Sequence, residues 1–223
     1  MINLEDIKSA KYIVIEVEFE LLCSGSAFYT YLLQLHKKVS LVCNSEIIDD
    51  RFSFLPWYDK KKDNTPSSAD LVLNLNINGI ELFDFFKEKE IKINKKMATA
   101  FYASLVYETN GFKTSLNGTI FAMAKELLEL GAEHKICNDF LLDRTTLSCL
   151  RLKAILLKNM LLKDDASLAK LSVSDDTLKA TGSNLNEAYK IMYEPLKLVY
   201  VKEVHLLKSD EDNKILKIIK KEL

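Results

Sequence analysis

One carboxylate, Glu108, ends the apolar run Ala98 to Tyr107 and passes directly into Thr109-Asn110-Gly111-Phe112. A charge delivered by an apolar helix into a tight turn can bind a hard cation through its oxygens. Glu16, Glu18 and Glu20 alternate along a strand-like stretch, so they share one side of it. Such a row is either part of a cation site or the solvated face of a half-exposed strand. Ser24, Gly25 and Ser26 follow and open a helix, where free backbone N–H groups can receive a phosphate, although a Gly-Ser pair alone has little specificity. His134 and Cys137 stand one helical turn apart and, with Cys149, supply three of the four ligands that structural zinc needs. No fourth ligand is apparent, and the competing reading is a surface histidine with two core thiols.

Several other residue types have a chemical use and a plainer one. Lys60, Lys61 and Lys62, in the aperiodic segment from Asp59 to Ser68, suit phosphate capture or a mobile surface loop. Trp57-Tyr58 after Pro56 suits base stacking or the covering of a core edge. Tyr189, Tyr193 and Tyr200 suit core packing better than a ligand cage. Arg144 and Arg151 suit a phosphate grip or ion pairing with Asp139 and Asp143.

The elements that must position these residues follow from periodicity. Tyr12 to Val17 is a β-branched run, Ser24 to Leu35 has helical spacing, and Val39 to Val42 is a second strand, so the three make a βαβ unit with parallel strands. Leu71 to Leu75 is a third strand. Helices are expected at Glu81–Lys89, Lys96–Tyr107, Gly118–Leu130, His134–Leu142 and Thr146–Leu162, with Gly131 as a left-handed C-terminal residue. Beyond them the pattern predicts a strand at Ser167–Val173, a helix capped at Ser174-Asp175-Asp176, a helix around Leu185–Met192 and a strand at Leu196–Val204. Ile215, Ile218, Ile219 and Leu223 fall on one face of an expected amphipathic helix over Asp212–Leu223.

The expected architecture is α/β. It comprises a mostly parallel sheet flanked by helices over residues 1–145, a bridging helix over 146–163, and a small truncated α/β domain over 164–223. The chain has 223 residues, 31 Lys+Arg against 32 Asp+Glu, and a net charge of -1, which gives no general argument for a nucleic-acid surface. No apolar run reaches the ~20 residues of a membrane span, and the start lacks a signal-peptide pattern. With four cysteines and no CxxC spacing, the expectation is a cytoplasmic protein with reduced thiols.

Five segments in order carry a family resemblance: Gly25-Ser26-Ala27 before a helix, Phe52-Ser53-Phe54-Leu55-Pro56, the strand Ala69-Asp70-Leu71-Val72-Leu73, the Ala98–Phe112 run, and the helix ending Glu129-Leu130-Gly131-Ala132. Together they resemble the DHH phosphoesterases, the group containing the nanoRNase/pAp phosphatases. The resemblance extends at varying strength over most of Lys11 to Leu162. It implies two Mn²⁺ or Mg²⁺ ions that activate water against the phosphate of a small nucleotide or short RNA.

This sequence departs from that pattern at the ligand positions. Counting back from Gly25 puts Glu20 and Leu22 where the family has Asp-x-Asp, and the second-motif aspartate becomes Asn76. The fourth-motif aspartate becomes Glu108. The Asp-His-His triplet is absent, and the chain passes from Ile93 almost directly into the Ala98 helix. The glycine-rich segment of the family's second domain has no counterpart before Leu223.

Two readings follow. The first is a degenerate, catalytically inactive relative, with no catalytic residues, no cofactor and vestigial metal positions at Glu20, Asn76 and Glu108. It would bind a protein partner or itself, or hold a nucleotide or short RNA weakly through Ser24, Gly25, Ser26, Glu108, Thr109 and Asn110. The second is a phosphoesterase with an altered site, one Mn²⁺ or Mg²⁺ held by Glu20, Glu108 and Glu18.

Overall fold

The computed structural model describes residues 2–43, 49–114 and 117–221, and it divides into two compact units, Met1–Arg144 and Thr145–Leu223. The first opens with α1 (Leu4–Ser9), β1 (Tyr12–Glu16), α2 (Leu22–Gln34) and β2 (Lys38–Val42), and continues with β3 (Lys61–Lys62) and β4 (Leu71–Asn74). These four strands form one sheet in the order β3-β2-β1-β4, all parallel. Ile13, Val14 and Ile15 of the inner strand β1 are fully buried, as a continuous apolar run in a parallel sheet requires. Lys61 and Lys62 belong to the edge strand, not to an unstructured loop.

Four helices complete this unit: α3 (Gly79–Glu88), α4 (Lys95–Glu108), α5 (Gly118–Glu129) and α6 (His134–Asn138), the last continued by a π-helical turn at Asp139–Asp143. Asn78, Asn94 and Asn117 cap α3, α4 and α5, each accepting the backbone N–H three residues on. Phe28 of α2, Phe86 of α3 and Phe101 of α4 are fully buried; the Phe86 ring lies 6.3 Å from Phe28 and 5.4 Å from Phe101. Gly25 lets α2 approach the sheet, since a Cβ there would stand 3.0 Å from both Val17 Cγ1 and Leu41 Cδ1.

In the second unit, α7 (Leu147–Lys158) precedes β5 (Leu161–Lys163), β6 (Leu168–Val173), α8 (Asp175–Thr181), α9 (Leu185–Ile191), β7 (Glu203–Lys208) and β8 (Lys214–Lys220). Its sheet runs β5-β6-β7-β8, with β6 and β7 parallel and both edges antiparallel. Leu152 and Leu156 of α7 and Ala188 and Ile191 of α9 pack on Ala169, Leu171, Val204 and Leu206 of one sheet face. The helix predicted to run to Leu162 therefore stops at Lys158, and Leu161 and Leu162 are strand residues.

The C-terminal amphipathic helix is corrected to strand β8. Asp212 (φ 50°) and Asn213 (φ 56°) end the loop after β7 in left-handed geometry, which these residue types tolerate, and the chain returns along β7. A register shift opposite Leu206 and Leu207 inserts one extra residue, so Ile215 and Ile218 point to the same side although three positions apart. Leu223 of the expected helical face lies outside the described residues. The strand predicted from Leu196 starts only at Glu203. Tyr193 and Tyr200 are exposed, not core.

Candidate functional site

Parallel strands place their C-terminal ends on one edge of the sheet, and here the chain leaves β1 toward β2 on one side while β4 pairs on the other. A crevice outside such a reversal point is where open α/β sheets bind ligands. A cleft of about 400 Å³ lies there, lined by Glu16 at the end of β1 and Glu18 after it, Asn74 at the end of β4 and Asn76 after it, and the apolar Val17, Leu21, Val42 and Leu75. Glu16 is steadied by the Thr65 hydroxyl, which donates to its Oε1, and Glu18 is exposed.

Glu108 faces a different task. Its Oε1 accepts the backbone N–H of Gly79 at 3.2 Å and the hydroxyl of Ser104, so it caps the start of α3 from the end of α4. A negative charge at a helix N-terminus is electrostatically favoured there. Burial nevertheless raises its pKa above the ordinary value of 4.5, opposed by the Ser104 and Gly79 hydrogen bonds. Gly79 is required for this approach, because a Cβ on it would fall 2.2 Å from Ser104 Oγ.

Of the other expected ligand-binding residues, Thr109 and Ser26 are hydrogen-bonded within the fold, while the buried Ser24 hydroxyl has no hydrogen-bond partner. Thr109 is buried; its hydroxyl donates to the Leu105 carbonyl at 2.7 Å and accepts the Phe112 N–H at 2.9 Å. Asn110, Gly111 and Phe112 are all left-handed (φ 48°, 69° and 61°), turning the chain sharply at the end of α4. Helix α2 begins at Leu22, so Gly25 and Ser26 lie inside its hydrogen-bonded ladder and offer no free N–H groups. Ser24 and Ser26 are buried, and the Ser26 hydroxyl donates to the Pro56 carbonyl at 2.6 Å.

The contacts of Glu20, Asn76 and Glu108 differ. Asn76 lines the cleft, Glu20 is exposed on the 3₁₀ turn Phe19–Leu21 with its charge acting on Tyr107, and Glu108 caps α3. The acids that the fold delivers to the crevice are Glu16 and Glu18, four positions upstream of the motif alignment at Glu20 and Leu22. Asn74 was missed altogether, although its place at the end of a buried-type strand was a usable signal. Two carboxylates and two neutral carboxamides with no imidazole do not fit a pair of mutually repelling divalent cations. Among the described residues no group of three or more His, Cys, Asp or Glu side chains is placed to hold a metal ion. That includes His134, whose ring packs edge-on against Tyr102, and Cys137, whose thiol contacts the Thr99 carbonyl.

The lysines and aromatics are also accounted for. Lys61 lies over the Tyr58 ring, Lys96 over Trp57, and the Trp57 indole N–H donates to Thr30 at 2.9 Å. Arg144 stacks on Phe140, not on an acid partner.

With this geometry, the chain is similar in fold to a solved structure, an exopolyphosphatase-related protein from Bacteroides fragilis. The TM-score is 0.72 over 94% of this chain and 79% of that one, at 17% sequence identity. No protein-family model and no curated protein matches the sequence. At this identity the likeness shows the α/β fold alone; the chemistry must be argued from the side chains. No described helix is long and apolar enough to cross a membrane.

Proposed function

We propose that this protein is a degenerate relative of the DHH phosphoesterases that keeps their α/β fold and works by binding, as a scaffold or regulator, without two-metal hydrolysis. The observation that carries the reading is Glu108. The acid that the resemblance places at the fourth-motif position is held by Gly79 and Ser104 as a helix cap. A second support is the charge of the cleft: Glu16 and Glu18 repel a phosphate, and among the described residues no Lys, Arg or His lines it. The partner is a protein, or a second copy of the chain. In a hydrolysis assay with Mn²⁺ and with Mg²⁺, pAp, short RNA and cyclic dinucleotides are expected to turn over no faster than a buffer blank. Metal-dependent turnover abolished by Glu108→Ala would overturn this.

One observation favours a second reading, an altered phosphoesterase. Glu16 and Glu18 share the crevice with Asn74 and Asn76, enough oxygen donors for one weakly held Mn²⁺ or Mg²⁺. Calorimetric titration decides it: heat that disappears in Glu16→Gln with Glu18→Gln supports a cation there, and its absence removes the reading.

A further inference from the structure

The C-terminal unit carries an apolar loop that no core uses. Between the turn at Pro195–Lys197 and β7, Leu198, Val199 and Tyr200 are 44%, 81% and 73% exposed. Three consecutive apolar side chains in water are unusual on a monomer surface unless something covers them. Lysines outnumber acids around them. Lys197 and Lys202 flank the loop, and Lys221 donates from Nζ to the Leu198 carbonyl at 3.4 Å. Lys220 lies opposite Glu203 in the β7–β8 pairing. The two nearby acids are already engaged, Glu194 with Lys153 and Lys197, and Glu203 with His205 and Lys220. Among the described residues Lys202 and Lys221 have no ion pair.

We propose that this loop docks the protein on an anionic lipid surface, with Val199 and Tyr200 entering the headgroup boundary and the surrounding lysines contacting phosphate and carboxylate headgroups. An apolar tip inside a cationic collar matches both layers of such a surface, and tyrosine favours that depth because one end is apolar and the other polar. The alternatives fit less well. Two copies of the chain meeting tip to tip would bring the lysine collars together. A nucleic acid would use the lysines and Tyr200 but leave Leu198 and Val199 in water. Docking of this kind requires no membrane-spanning helix, and it stands on the second unit alone, whatever the first unit binds or hydrolyses.

Vesicle sedimentation with the full chain tests it. Phosphatidylcholine vesicles containing phosphatidylserine are expected to carry the protein down, and vesicles of phosphatidylcholine alone are expected to leave most of it in solution. Val199→Asp with Tyr200→Asp should lower partitioning at least about ten-fold with an unchanged melting temperature, since neither side chain is packed. Lys202→Gln should lower it about five-fold, the loss of one lysine near an anionic surface, and added salt should act in the same direction. Tyr200→Trp should show a blue-shifted emission on the anionic vesicles. Wild-type protein that stays in the supernatant, or aspartate variants that sediment like wild type, would overturn the assignment. A co-purifying protein lost on Val199→Asp, with no vesicle binding, would replace it with a protein surface.

Discussion

The two units handle their polar and apolar groups in opposite ways. In the N-terminal unit, groups with chemical potential are turned inward. Glu108 caps a helix, Thr109 closes a turn, and Cys23, Cys43 and Cys137 are buried. In the C-terminal unit, helices cover one face of the sheet, and Leu161, Ile215 and Ile218 on the other are exposed together with Val199 and Tyr200. The first unit ties these groups into its fold, although Phe121 and Val72 are exposed there too; the second leaves the apolar residues of a strand face in water.

Thiol chemistry gives the widest separation between them. Burial pushes the Cys137 thiol up to about 12 and raises Cys23 well above its ordinary value, whereas Cys149 on α7 is half-buried. Cys149 should react with iodoacetamide first, with the N-terminal thiols slower by a factor on the order of 10³ or more if they require opening of the unit. Mass mapping after graded labelling reads this directly. Equal labelling of Cys137 and Cys149 would mean that the N-terminal unit opens freely, and the contrast would fail.

A matched pair of glycines probes the inward packing itself. Gly79 and Gly118 both follow a capping asparagine at a helix start, yet a Cβ at Gly79 meets Ser104 at 2.2 Å and one at Gly118 meets nothing within 4 Å. Gly79→Ala should cost about 1–3 kcal/mol by overpacking α3 against α4. Gly118→Ala should be neutral or stabilise by about 0.4–1 kcal/mol through the unfolded chain. Urea midpoints compare the two, and equal shifts would show that the close approach of α3 and α4 is not as described.

The carboxylates differ in the sign of their pH dependence. Glu108 is raised by burial, so the stability tied to its protonation is present below 4.5 and is lost as pH rises through its elevated folded value. Glu203 is lowered by its hydrogen bonds to His205 and Lys220, so its contribution is present above 4.5 and is lost as pH falls through its depressed value. Glu108→Gln should remove the first slope and keep the cap, because an amide oxygen still accepts the Gly79 N–H; Glu203→Gln should remove the second. Stability curves against pH for the two variants should therefore depart from wild type at opposite ends.

Much of the fold was legible because local signals agreed with it. The β1-α2-β2 unit, the Ala98 helix and the Ser174 cap are where periodicity and residue type put them. The C-terminus was misread for a definite reason. Ile215, Ile218 and Ile219 fit a 3.6-residue period, and the extra residue in β8 erases the alternation that would mark a strand. Only the antiparallel pairing with β7 decides between the two. Leu198 to Val201 reads as a strand for the opposite reason: its residues favour β-structure, but no neighbouring strand pairs with them. The candidate site was half legible. The acid row was visible, but which acid reaches the crevice depends on where β1 ends, and it ends at Glu16.

The smallest predicted effect bears most directly on what the open face is for. If Ile215 and Ile218 helped to hold the C-terminal unit together, replacing them would cost as much as a core change, about 1–3 kcal/mol. Their exposures of 51% and 44% argue that about half of each residue already lies in water when folded. Ile215→Thr and Ile218→Thr keep the β-branched shape that the strand favours, so each should shift stability by no more than about 0.5 kcal/mol. Ile13→Thr, at a fully buried position of β1, should cost far more. Urea midpoints that fell equally for Ile13 and Ile218 would mean that the exposed face is structural, and the division between a closed unit and an open one would be lost.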